Sequence, residues 1–196
     1  MFIDTIAEDD ASGALAEFYR QQKSGWGFLP NFAGVFSTRP ELATAWNQLN
    51  KAVRDGMERR RYEIATIAAA RALRSTYCTA AHAKFLRDEC QDEPTMTAIA
   101  KDPSGADLDE QDRAVYRFAG QVARDASSIQ QSDVDALHEV GLTDADVADI
   151  VFAAAARSFF TRVLDGLGAQ LDSQTADSFA PDVLASFLVG RPVAEG

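Results

Sequence analysis

Apolar residues recur every three to four positions along most of this chain, a spacing that predicts helices from one end to the other. Leu15, Phe18 and Tyr19 mark one face of a helix over residues 11–22, which Ser24-Gly25-Trp26-Gly27 ends. Phe28-Leu29-Pro30-Asn31-Phe32 is apolar but broken by proline. Arg39-Pro40-Glu41 opens a helix to residue 54, because proline suits the first turn. Neither glycine nor proline occurs from Met57 to Glu93, yet one helix of that length is unusual in a compact domain. Ser75-Thr76 is the predicted interruption, since both hydroxyls can bond nearby amides; it gives helices over 60–73 and 76–89, the second capped by Ser75. The alanine-rich run over 64–70 reads as close-packed core and as a scaffold for Glu63. Asp107 with Glu110 and Ser132 with Asp135 resemble helix starts, Gly141 ends the second of these helices, and Thr143 opens a last long helix toward Asp165. Strand signals are nearly absent. The predicted fold class is therefore all-α, a bundle of about six core helices with helical extensions at both ends. We read one domain unit: an N-terminal extension over 1–55, a core over 56–167, and a C-terminal tail over 168–196 that is part short helix and part loose.

Composition narrows the function. The 196 residues are 46% apolar and 25% charged, ordinary for a globular chain that can bury its own core. A formal charge of -11 repels phosphate backbones and anionic bilayers, so neither nucleic acid nor membrane is an expected partner. The one basic cluster, Arg59-Arg60-Arg61, reads as a solvated or intersubunit helix end, because no glycine-rich loop accompanies it. Met1-Phe2-Ile3-Asp4-Thr5 carries no secretory signal, which makes the cytoplasm the expected compartment. Two cysteines supply no disulfide framework, so any cysteine chemistry is reactive rather than architectural.

One cysteine and one of only two histidines stand four residues apart, as Cys78 and His82. On a helix they share a face, about 6 Å apart along the axis. With Ser75 at the cap, Cys78 sits in the first turn, where free amides and the helix dipole favour a thiolate, as would a His82 imidazolium. Glu63 would lie about 22 Å from Cys78 along a straight helix, so it joins them only if the chain folds back near Ser75. Cys90 is twelve residues beyond Cys78, about 18 Å along one helix and out of disulfide reach. Tyr77 is either a packing residue or a pocket wall. His138 reads as a surface residue, and Trp26, Phe28 and Phe32 as core or oligomer contact rather than a ligand cage. One Cys and one His give two metal ligands and no cluster supplies the others, so no metal or cofactor is expected.

These residues resemble the motif of the alkylhydroperoxidase D and carboxymuconolactone decarboxylase superfamily, particularly its peroxidase-related branch. That motif is a glutamate, a Cys-x-x-Cys twelve residues on, and a histidine four residues past the second cysteine. Glu63, Ser75, Cys78 and His82 occupy its positions, and the looser likeness runs from about Phe28 to Gly166. The resemblance implies an AhpD-like bundle, commonly a homo-oligomer (dimer, trimer or hexamer). It also implies a Cys78 thiolate that attacks a small hydroperoxide, with a His82/Glu63 proton relay. Ser75 departs from the pattern: a hydroxyl closes no disulfide, so oxidised Cys78 would need an external thiol or a partner subunit to reduce it. Two rivals stand beside this antioxidant reading, a lyase acting by acid-base chemistry on a small lactone and a non-catalytic helical assembly protein.

Overall fold

The computed structural model describes residues 1–195, which form eleven α-helices and, apart from one bridge between Leu171 and Val193, no extended pairing among the described residues. In chain order they are α1 (Gly13–Trp26), α2 (Asn31–Val35), α3 (Pro40–Asp55), α4 (Arg59–Ala72), α5 (Thr76–Asp88), α6 (Glu93–Lys101), α7 (Glu110–Asp125), α8 (Gln131–Glu139), α9 (Asp144–Leu167), α10 (Ser173–Ala176) and α11 (Pro181–Phe187). The all-α class is thus as the periodicity predicts.

Helix α4 is the hub. Residues Tyr62 to Ala70 are all buried, so this helix has no solvent face along its middle, and α5, α7 and α9 pack around it. Its alanines make that possible, because small side chains let neighbouring backbones approach on every side. The chain then turns at Arg74, which adopts a left-handed conformation with φ 59°, and the Ser75 amide donates to the Ala70 carbonyl at 2.9 Å. The break therefore falls where the serine-threonine pair predicts it, and α5 folds back along α4.

Several expectations shift. Helix α1 runs four residues past Gln22 and stops at Gly27, whose left-handed φ of 80° glycine alone adopts freely. Helix α7 is capped by Asp109 rather than Asp107, and α8 starts from a Gln130–Asp133 capping box rather than from Ser132. Arg59, Arg60 and Arg61 are not a solvated end: each is ion-paired within the chain, to Glu63 and Glu89, to Asp92 and Asp112, and to Asp146. Apart from Glu63, one turn along the same helix, the acids that tie them down come from distant parts of the chain, which short-range pattern cannot show.

The tail is not loose either. Leu171 and Phe187 are fully buried in the core, and the Gly190 amide donates to Thr76 Oγ1 at 2.9 Å, strapping the C-terminal segment over the start of α5. Gly190 sits so close to the α4–α5 corner that a Cβ there would lie 1.9 Å from the Arg74 carbonyl oxygen. Gly166, by contrast, faces open space within α9. Gly190→Ala should therefore lower unfolding stability by about 2 kcal/mol or more, while Gly166→Ala should be neutral or raise it by about 0.5–1 kcal/mol. Urea denaturation of the two variants reads this directly; equal midpoints would show that the strap does not hold the corner.

Candidate active site

The fold-back of α5 onto α4 brings together two of the residues that the spacing alone left apart. Glu63, on α4, is 0% exposed, and both its oxygens are occupied. Arg59 Nε donates to Oε1 at 2.7 Å, and His82 Nδ1, from α5, lies 2.5 Å from Oε2. With Nδ1 donating to the carboxylate, His82 keeps Nε2 as a free acceptor. Burial, and then the charge of Arg157, push His82 down to about 4 against the opposing pull of Glu63. The imidazole is accordingly neutral at physiological pH. The expected imidazolium beside Cys78 is absent, because a fully desolvated ring next to another cation does not hold a proton.

Cys78 sits in the first turn of α5, 1% exposed. Burial raises its proton affinity, Arg157 and Ser75 lower it, and Asp165 raises it further. The net direction is upward, so the resting sulfur is a thiol. It makes no hydrogen bond with His82, although both line one cavity. The cation beside the sulfur is Arg157 on α9: Nη1 donates toward Cys78 Sγ at 3.7 Å and Nη2 to Tyr62 Oη at 3.3 Å. Tyr62 Oη in turn donates to Asn50 Oδ1 at 2.7 Å.

Arg157 is 3% exposed, has no carboxylate partner, and its Nε meets no acceptor. Trp46 and Phe160 stack on each other, and the guanidinium lies 5.7 and 5.3 Å from their ring centroids. Such contacts contribute roughly 0.5–2 kcal/mol each, whereas taking a cation out of water costs several. The site therefore holds a positive charge that nothing fixed in it neutralises.

Ser75 occupies the N-cap position of α5, but its hydroxyl makes no cap bond. It is turned inward, where it has no partner of normal geometry and acts on both Cys78 and Asp165. Tyr77 proves to be both of its alternatives. Its ring lines the cavity, while its buried hydroxyl donates to Asp172 and accepts from the Phe32 amide, tying α5 to the tail and to α2. Cys90 lies past the far end of α5, partly buried, with its thiol pushed up to about 11. His138 is on the surface against Asp144.

The cavity beside Cys78 and His82 measures about 240 Å³, and rings of Trp26, Phe32, Trp46, Phe85 and Phe160 form much of its wall. Trp26 and Phe32 thus belong to the site rather than only to core, because α1 and α2 fold across the mouth of the α4–α5 corner. Arg157 was missed by the motif. The signal available was a single charge within the apolar run from Ile150 to Phe160.

Among known proteins, the profile of the Carboxymuconolactone decarboxylase family matches residues 40–101, the segment that carries Glu63, Ser75, Cys78 and His82. The chain matches no curated protein sequence. Similar solved structures include the alkylhydroperoxidase AhpD core of an uncharacterized peroxidase-related protein from Ralstonia eutropha JMP134, 22% identical over 89% of this chain and 93% of that one, TM-score 0.79. An uncharacterized peroxidase-related protein from Silicibacter sp. TM1040 is 17% identical over 89% of this chain and 91% of that one, TM-score 0.73. The debrominase Bmp8, a variant in complex with 2,3,4-tribromopyrrole, is 17% identical over 91% of this chain and 97% of that one, TM-score 0.74. The fold is thus that of AhpD-like proteins. The segment that carries the motif is the one that resembles the Carboxymuconolactone decarboxylase family.

The thiolate absorbance of Cys78, measured in a Cys90→Ser background, should appear only above neutrality, with a midpoint above about 8.5. Replacing Arg157 by Met should move that midpoint up by at least about one unit, since a neighbouring cation is lost. A midpoint below neutrality, or one indifferent to Arg157, would contradict this electrostatic account.

Proposed function

We propose that the protein is a cysteine-dependent hydroperoxide reductase, an antioxidant enzyme of the alkylhydroperoxidase kind. The supporting observation is the buried arrangement of a thiol beside a guanidinium, with a neutral imidazole braced by a carboxylate in the same cavity. The likeness to AhpD-like proteins supports an antioxidant role more broadly.

In this reading a hydroperoxide enters the cavity and bridges Cys78 and His82, which do not touch each other. The Cys78 proton moves to His82 Nε2, and the resulting imidazolium is stabilised by Glu63, which Arg59 holds in place. The thiolate, stabilised by Arg157, attacks one peroxide oxygen: an S–O bond forms, the O–O bond breaks, and the leaving alkoxide takes the proton back from His82. Sulfur is oxidised by two electrons to sulfenic acid, and the peroxide is reduced to an alcohol, or to water when the substrate is hydrogen peroxide. Two equivalents of an external thiol then return Cys78 to the thiol, releasing a disulfide and water, because Ser75 has no sulfur to offer and Cys90 stands at the wrong end of α5.

This division of roles has a consequence for pH. The base is ready at neutral pH, since His82 titrates at about 4. The rate should therefore rise with pH as the thiol becomes easier to ionise, and fall only in acid where His82 is protonated.

The test is hydroperoxide consumption in the presence of dithiothreitol, with trapping of sulfenic acid by dimedone. Cys78→Ser should abolish both signals, Cys90→Ser should preserve both, and His82→Ala should slow turnover by about a hundredfold or more, the usual weight of a general acid-base residue. Absence of sulfenic acid on Cys78 would refute the proposal, and lactone turnover that survives Cys78→Ser would favour the lyase instead.

A further inference from the structure

The charges around the cavity do not balance. Glu63 is saturated by Arg59 and His82, and His82 is neutral. Asp165 lies behind Ser75, half-buried and facing Arg191 at 3.9 Å. Arg54, at the rim, leans on Asp55 at 3.6 Å. Only Arg157, deep in the cavity, lacks any anion, and its buried Nε–H has no acceptor at all. With the sulfur protonated as a neutral thiol, no fixed group of the cavity compensates this charge.

The walls select the rest of the occupant. Trp46 and Phe160 stack with ring centroids 4.7 Å apart against the guanidinium, and Trp26 and Phe32, which meet edge to face at 5.9 Å, line the same cavity. The volume of about 240 Å³ exceeds the roughly 150 Å³ of an apolar cavity that holds benzene. It suits one ring with one or two substituents beside Arg157, and it opens past Trp26, Asn47 and Arg54 toward the surface.

We infer that this cavity takes a compact aromatic monoanion, a single-ring acid whose anionic oxygen docks on Arg157 while the ring lies among Trp26, Trp46 and Phe160. This rests on the reading of the cavity as the substrate site, and it narrows the hydroperoxide there to one carried by, or accompanied by, a small ring acid. Charge-assisted hydrogen bonds from a guanidinium favour the ionised group over a neutral group of the same shape.

Benzoate and benzamide separate the two requirements, since they share ring and size and differ in charge. The protein's two tryptophans, Trp26 and Trp46, both line the cavity, so their fluorescence reports occupancy. We would titrate both probes into the Cys78→Ser protein, in which no thiol chemistry can occur. Benzoate should bind at least about tenfold more tightly than benzamide at neutral pH, and Arg157→Met should bring the two affinities together. Equal affinities in the Cys78→Ser protein, or a benzoate preference that survives Arg157→Met, would overturn the inference. If Arg157→Met does not fold, the comparison of the two probes in the Cys78→Ser protein decides alone. Because binding is read without the thiol, its failure would leave peroxide reduction untouched, and failure of peroxide reduction would leave this result standing.

Discussion

A carboxylate with no solvent organises this molecule. Glu63 lies at the centre of a helix buried on all sides, and each of its oxygens needs a partner that the interior must supply. Arg59 answers from one turn back on the same helix, and His82 answers from the next helix along. The second contact is possible only if α5 returns along α4, so the turn at Arg74, the buried start of α5 and the strap that covers it through Gly190 all serve that one pairing. Removing the carboxylate would leave the buried His82 Nδ1–H without its acceptor, a loss of about 1–3 kcal/mol, while Arg59, one-third exposed, would keep Glu89.

The same pairing sets the chemistry. Holding Nδ1 against Glu63 turns the other ring nitrogen toward the cavity as an acceptor, and burial keeps the ring from protonating. The positive charge near Cys78 then has to come from elsewhere, and Arg157 provides it from α9. Two helices with different partners thus divide what the spacing of the motif had assigned to one histidine: the proton acceptor is His82 and the counter-charge is Arg157. Burial still outweighs that counter-charge at rest, which makes the sulfur a thiol that ionises when substrate arrives rather than a standing thiolate.

Much of this was legible in the chain. The helical class, the break before Thr76, the long helix opened by Thr143, and the placing of Cys78 and His82 on one face of α5 follow from period, capping chemistry and i, i+4 spacing, which are local properties, whereas Glu63 joins them only through the resemblance of the motif. What escaped notice depends on contacts distant in sequence. Arg157 is separated from Cys78 by 79 residues. The arginines at the start of α4 find acids up to 85 residues away. Trp26 and Phe32 looked like packing residues because nothing nearby in the chain shows that α1 and α2 cross the site. Ser75 does stand at the N-cap position of α5, but its hydroxyl makes no cap bond and faces the interior instead of the helix amides. The tail read as loose because prolines flank it, while Leu171 and Phe187 give it buried anchors that only the tertiary contacts reveal.

The division of charge between His82 and Arg157 can be examined directly by nuclear magnetic resonance of the histidine side chains, with His138→Gln used to assign the two rings. His82 should remain neutral, protonated on Nδ1 with Nε2 free, from neutral pH down to its titration at about 4. An imidazolium at neutral pH, or a midpoint at or above the ordinary value of about 6.5, would contradict the account.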